Sequence, residues 1–261
     1  MDAQEWSRGV EDEMRRGTYR TYTPATNAGA GLSIAAALVR YLAEVTPTKA
    51  VGSQRAERTH SHPLTVELGG YALRSLTPDV VAHYRDTRLG TVSKRTHRHI
   101  CGSTVRGELA LLSNLYTIAA QEWGVGIVSN PVKLVRKPKA GQRTRRFVGD
   151  EESRLLAAID EHSNPMLGWI VRLALATAMR STEIRTLDES QVNFKHRSIH
   201  LIHTKNGSER TVPLSTTAVA ILHDALACHL RRGSTLVFPG NPGKDGVQRG
   251  FAMSKAFRDI V

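Results

Sequence analysis

Two cationic side chains stand where phosphate chemistry could be done. Arg180 closes the apolar stretch LGWIVRLALATAMR, and Glu183 follows three residues on. A guanidinium at the end of so apolar a segment is expected beside low-dielectric surroundings. An unpaired charge is costly there, so Glu183 is its natural partner. Lys205 comes 25 residues after Arg180, where the first strand of RSIHLIHTKNGSERTVPL enters Asn206-Gly207, a pair suited to a tight hairpin turn. An arginine fork can donate two bonds to a phosphate and stays protonated, while a lysine can hand a proton to a leaving oxygen. Taken singly, each feature also has a purely structural reading. An Arg–Glu pair can simply close a helix junction, and a lysine beside a turn can simply be solvated.

Other candidate chemistry is thinner. THRHIC gathers His97, His99 and Cys101, but no second ligand group follows at zinc-finger spacing, and Cys228-His229 is only an adjacent pair. No metal is expected. The glycine-rich phosphate loops of nucleotide-binding proteins are missing, so no nucleotide and no other cofactor is expected.

The elements that must position Arg180 and Lys205 follow from apolar periodicity. In the first half, helical spacing predicts a helix at LSIAAALVRYLAEV. A second is predicted at SLTPDVVAHYRDTRLG, with Thr77 as cap and Pro78 in its first turn. A third, STVRGELALLSNLYTIAAQEWG, carries the stripe Leu109, Leu112, Leu115, Tyr116 and Ala119 and stops at Gly124. In the second half, helices are predicted at GDEESRLLAAIDEH with Asp150 as cap, at LGWIVRLALATAMR, and at STTAVAILHDALACHL. The hairpin lies before the last of these, and GFAMSKAFRDIV reads as the opening of one more helix. The fold class expected is mostly α with a small β-hairpin sheet.

The 261 residues carry 36 Lys and Arg against 24 Asp and Glu, a formal net charge of +12. Such an excess fits a polyanionic partner, and with aromatics at 5% the stacking signature of single-stranded RNA binding is weak. Double-stranded DNA is the expected partner. Its contacts are expected from Lys94, Arg95, Arg98 and Arg106, and from PVKLVRKPKAGQRTRR with Lys133, Arg136, Lys137, Lys139, Arg143, Arg145 and Arg146 and no acid. That second run, broken by two prolines and a glycine, is also the best domain boundary. Hydrophobic residues at 40% can fill a core, yet no apolar run approaches the roughly 18 residues of a membrane span, and acids occupy the N-terminus where a signal peptide would be basic. A cytoplasmic protein without membrane contact is expected.

The text ATAMRSTEIRTL followed by HTKNGSERTVPLS resembles the tyrosine recombinase, or phage-integrase, family. STVRGELALLSNLYTIAAQEWG and NPVKLVRKPK extend the likeness upstream, in wording close to shufflon-type DNA invertases. The resemblance implies a helical core-binding domain and a mixed α/β catalytic domain that clamp duplex DNA, joined by a basic linker. In this chain that gives the core-binding domain at 32–130, the linker at 131–147 and the N-terminal part of the catalytic domain at 148–261, while the weakly patterned residues 1–31, with the small, polar stretch TYTPATNAGAG, read as a flexible N-terminal segment.

The implied chemistry is metal-free phosphoryl transfer, in which a tyrosine hydroxyl attacks a DNA phosphate and leaves a 3′-phosphotyrosyl bond and a free 5′-hydroxyl. Arg180 matches the first catalytic arginine, Glu183 the acidic residue that orients it, and Lys205 the hairpin lysine that acts as general acid. Ala178 stands where the family usually has glycine, and Asp188-Glu189 where a basic or aromatic residue is common. The family's His-x-x-Arg motif and nucleophilic tyrosine lie beyond the hairpin, whereas Tyr19, Tyr22, Tyr41, Tyr71, Tyr84 and Tyr116 all precede Arg180. The expectation is therefore a C-terminally truncated recombinase that binds DNA without cutting it, with self-association on DNA expected of the intact protein. The alternative is a DNA-binding protein that acts as a regulator or competitor.

Overall fold

The computed structural model describes residues 31–94, 96–125, 129–139, 141, 144–202, 207–231, 233–253, 256 and 257. The chain divides into two compact units, 1–144 and 145–261.

In the first unit, helices α1 (Ile34–Glu44), α2 (Val51–Leu68), α3 (Pro78–Gly90) and α4 (Gly102–Gln121) pack around one core. Ser33 caps α1 by accepting the Ala36 N–H, and α1 buries Ile34, Ala37, Leu38 and Tyr41 at three- and four-residue spacing. The central member is α4, whose stripe Val105, Leu109, Leu112, Leu115, Tyr116 and Ala119 is buried as its periodicity predicts. Gly124, just past α4, takes φ +63°, the left-handed conformation glycine adopts without steric cost. Helix α2 is not evident in the sequence pattern. It buries only Ser61, Leu64 and Leu68 and carries Pro63 in its interior, so it lacks a broad apolar stripe. The expected flexible segment falls almost wholly on residues 1–30, outside the described residues.

A strap follows α4. Asn130 accepts the Val132 N–H, and Pro131, Val132 and Val135 are buried against the helical core. The strap then runs along α3 and α4: Arg85 Nη1 donates to the Arg136 carbonyl at 2.9 Å, and Arg106 Nη1 donates to that of Pro138 at 3.0 Å. Residues 131–139 of the basic segment thus carry buried apolar anchors as well as charge.

In the second unit, α5 (Glu151–Asp160), α6 (Met166–Thr177), the short α7 (Ser181–Arg185) and α8 (Thr216–Ala227) accompany a three-stranded antiparallel sheet. The strands are β1 (Val192–Asn193), β2 (Ser198–Leu201) and β3 (Arg210–Pro213), in that order across the sheet. Ile199 and Leu201 of β2 and Val212 of β3 point into a core shared with Met166, Leu167, Ile170, Leu173, Leu222 and Phe238. Ser215 caps α8 through the Ala218 N–H. Asp150 precedes α5 without making a side-chain cap; instead Glu151 accepts the Val148 N–H.

Strands β2 and β3 pair antiparallel, as the hairpin expectation requires. Among the described residues the β2–β3 ladder runs as far as the pair Leu201–Arg210. Asn206 lies outside the described residues; Gly207 has φ +76°. After α8, residues 236–240 run between two neighbours. Val237 donates to the Leu187 carbonyl, and Phe251 donates to that of Phe238. The backbone of Gly250 lies so close to the Arg185 carbonyl that any Cβ would collide with it. Phe251 and Ala256 are buried and Met253 and Phe257 pack beside them, so the last described residues belong to this core.

Candidate functional site

Arg180 does not end a helix, and this corrects the sequence expectation. Helix α6 stops at Thr177, and Ala178 turns left-handed with φ +51° and ψ +24° while its N–H still bonds Ala174. Arg180 is then extended, at φ −69° and ψ 145°, and starts α7 as its N-cap residue. The abrupt turn carries the arginine out of the apolar surroundings of α6. Its side chain is 45% exposed, and the buried member of the pair is Glu183, at 5%.

The Glu183 carboxylate is the hub. Its Oε2 accepts the Arg180 backbone N–H at 2.9 Å, which satisfies one of the free N–H groups at the start of α7. Its Oε1 accepts Arg180 Nη1 at 2.9 Å, and Arg210 Nη2, from β3, donates to Oε2 at 2.7 Å. Burial pushes the Glu183 carboxyl up, but the Arg180 N–H and guanidinium and the Arg210 charge outweigh it and hold the group below the usual carboxylate range. One buried anion therefore fixes two arginines, and among the described residues the half-exposed Arg180 guanidinium gives only Nη1 to a protein acceptor, leaving its other donors toward a solvent-borne anion. Arg210 is a residue the sequence reading missed. Lys205 lies outside the described residues, in the connection whose strands end at Leu201 and Arg210.

The basic residues of the first unit cluster around the start of α4. Lys94 and Arg98 are exposed in the loop between α3 and α4, closed by Ser93 donating to the Arg98 carbonyl and by a Val92–His99 bridge. Arg106, one turn into α4, is exposed and tied to the strap, which presents Lys133, Arg136, Lys137 and Lys139 outward. Arg95 and Arg143 lie outside the described residues. In the second unit, Arg145 and Arg146 are exposed, and Arg145 bonds Glu151 at 2.6 Å, so part of its charge is already neutralised. The sequence reading also missed Arg85, whose hydrogen bond anchors the strap.

Cys101, the residue before α4, is exposed, with Sγ 3.1 Å from both Ser103 Oγ and Thr104 Oγ1. These hydroxyls lower its thiol pKa to about 7. Among the described residues, no three His, Cys, Asp or Glu side chains gather as a metal-holding set, and no helix is long and apolar enough to cross a membrane.

Residues 145–261 match the phage integrase family. The chain is 43% identical over 191 residues to the shufflon-specific DNA recombinase of Escherichia coli, a match covering 72% of this chain and 48% of the relative. It is 34% identical over 231 residues to a putative integrase/recombinase of Haemophilus influenzae, covering 85% and 58%. The chain thus spans about half the length of the curated relatives it matches. Among solved structures, it resembles a lambda integrase dimer bound to a COC′ core site, with a TM-score of 0.66 at 16% identity over 88% of this chain and 76% of the other. The Tn1549 transposon integrase in complex with circular intermediate DNA is also similar, with a TM-score of 0.63 at 13% identity over 88% and 78%. At these identities the structural likeness speaks for the fold.

Proposed function

Because the chain belongs to the phage integrase, or tyrosine recombinase, family, we propose that it supplies the DNA-gripping and phosphate-activating residues of a site-specific DNA recombinase. The observation that carries this reading is the half-exposed Arg180 guanidinium, fixed from behind by buried Glu183. In strand cleavage a tyrosine hydroxyl attacks a DNA phosphate, the phosphotyrosyl bond forms, and the bond to the 5′-oxygen breaks. Arg180 stabilises charge on the non-bridging oxygens, Glu183 orients Arg180, and Lys205 gives its proton to the leaving 5′-oxygen. The developing charge on phosphate is the kind of change a preorganised guanidinium serves best, because no reorganisation is needed as the charge appears.

The basic loop at Lys94, Arg95 and Arg98, together with Arg106 and the segment from Lys133 to Arg146, holds the duplex backbone. The partners are double-stranded DNA and, in the intact recombinase, further copies of the same protein, as in the lambda integrase dimer and tetramer structures. The working compartment is the cytoplasm. A reading as a DNA-binding protein that does not cut draws on the tyrosines, all of which precede Arg180.

Salt-dependent duplex binding tests the interface. Each neutralised phosphate contributes about 0.9 to the slope of log K against log salt. Replacing Lys133, Lys137 and Lys139 with Gln is expected to flatten that slope by about 2–3 in fluorescence anisotropy. Arg145→Gln is expected to change it by less, since Glu151 already engages that guanidinium. An unchanged slope in the triple variant removes the strap from the interface.

A further inference from the structure

We propose that Arg210 is a positioning residue for Arg180, acting through Glu183 to keep the Arg180 guanidinium available to phosphate. The proposal rests on the reading of Arg180 as a phosphate-contacting residue. One arginine facing one buried carboxylate forms a neutral and self-satisfied pair. Here two arginines share the carboxylate, so the cluster carries a net positive charge at the exposed Arg180 side.

The geometry divides the oxygens. Among the described residues, Oε2 is taken by the Arg180 backbone N–H and by Arg210 Nη2, which leaves Oε1 with one bond, from Arg180 Nη1. Without Arg210, Oε2 is open to a second guanidinium N–H of Arg180. A bidentate fork would then close the pair on itself and compete with any anion in solvent. Arg210 is not placed there by a full set of bonds of its own, since its Nε–H is buried without a partner among the described residues. Its place in the ladder opposite Leu201 means that the same contact ties the strand leaving the Lys205 connection to the N-terminus of α7.

The test is anisotropy of the 261-residue chain on a labelled duplex across a salt series. Arg180→Ala is expected to flatten the slope by about one and to weaken binding several-fold at 0.1 M salt, on the order of one phosphate contact. Arg210→Met is expected to do the same, and Arg180→Ala with Arg210→Met to be no worse than Arg180→Ala alone. Removing the carboxylate charge as well, in Arg210→Met with Glu183→Gln, is expected to restore most of the binding. A merely structural arginine would not be rescued in this way. If Arg210→Met does not fold, Arg210→Lys and Arg210→Gln carry the comparison, with Lys retaining the slope and Gln losing it. The proposal is overturned if the Arg210 variants bind as wild type, if their loss adds in full to that of Arg180→Ala, or if Glu183→Gln gives no rescue. If the wild-type chain shows no salt-sensitive duplex binding, or Arg180→Ala leaves it unchanged, the reading of Arg180 itself falls.

Discussion

The Glu108 carboxylate of α4 receives both arms of the Arg88 guanidinium of α3, Nη2 to Oε1 at 2.6 Å and Nε to Oε2 at 3.0 Å, and the Tyr84 hydroxyl donates to Oε2 at 2.8 Å. Glu108 is 2% exposed, so this ion pair is desolvated on its acidic side. Removing the acid leaves a partly exposed guanidinium, 15% exposed, and a buried hydroxyl without their acceptor, which costs about 2–3 kcal/mol. Glu108→Ala is expected to lower the stability of the helical unit by that amount in urea titration. Glu108→Leu with Arg88→Met is expected to cost less than the sum of its parts, because neither charge is then left alone. Additive losses would show that the two residues do not act as a pair.

Ala178 offers a prediction whose sign is unusual. An Ala-to-Gly change ordinarily destabilises by about 0.5–1 kcal/mol through backbone entropy. At φ +51°, however, the Cβ of an L-residue costs roughly 1–2 kcal/mol, which glycine avoids. Ala178→Gly is therefore expected to stabilise the second unit by about 0.5–1 kcal/mol and to raise its melting temperature by roughly 2–4 °C. A lower melting temperature would mean that the turn relaxes to negative φ in solution, and with it the exit of Arg180 from α6.

Elements with a wide apolar stripe or a clear cap were legible in the sequence. The stripe of α4 appears where periodicity places it, and α3 starts at Pro78, although Thr77 before it makes no side-chain cap and its hydroxyl donates to Asp79 instead. Helix α2 was not legible, because three buried residues and an internal proline leave little period to detect. Strand β1, two residues long, carries no alternation at all. At the site, the +3 spacing of Arg180 and Glu183 announced their contact. Which of the two is buried depended on the left-handed turn at Ala178, and alanine gives no sign of such a turn. Arg210 meets Glu183 across 27 positions of sequence, a contact that exists only once the β2–β3 register is fixed.

Cys101 gives a pH-dependent readout. Hydrogen bonds from Ser103 and Thr104 favour the thiolate and bring the pKa to about 7, against about 8.5 for an ordinary cysteine. The lowered value means that deprotonation, and with it nucleophilic reactivity, rises at lower pH than usual. Iodoacetamide labelling of Cys101 followed by peptide mapping is expected to be half-maximal near pH 7. Ser103→Ala with Thr104→Val is expected to move the midpoint up by about one unit or more. A midpoint near 8.5 in the wild type would show that the hydroxyls do not engage the sulfur in solution.

The tyrosines decide what the 261-residue chain can do to a bound duplex. Cleavage through a phosphotyrosine needs a hydroxyl that reaches the phosphate in line and can lose its proton. Tyr41, Tyr84 and Tyr116 are each at most 3% exposed within the helical core. Their hydroxyls are already engaged, by Lys49, Glu108 and the Leu73 carbonyl, and burial raises the pKa of all three, in Tyr84 reinforced by the Glu108 charge. Such groups are neither reachable nor easily ionised. Tyr71 is half-buried, and Tyr19 and Tyr22 lie outside the described residues. In the family resemblance the nucleophile follows the hairpin lysine, and none of these six does. A nicked suicide duplex is therefore expected to be bound by this chain without covalent capture, the denaturing gel showing free DNA only. A protein–DNA adduct would overturn this assignment. Mapping it by Tyr→Phe changes at Tyr19, Tyr22 and Tyr71 would then show which of these three attacks. Loss of the adduct in Arg180→Ala would show that the same arginine activates the phosphate for it.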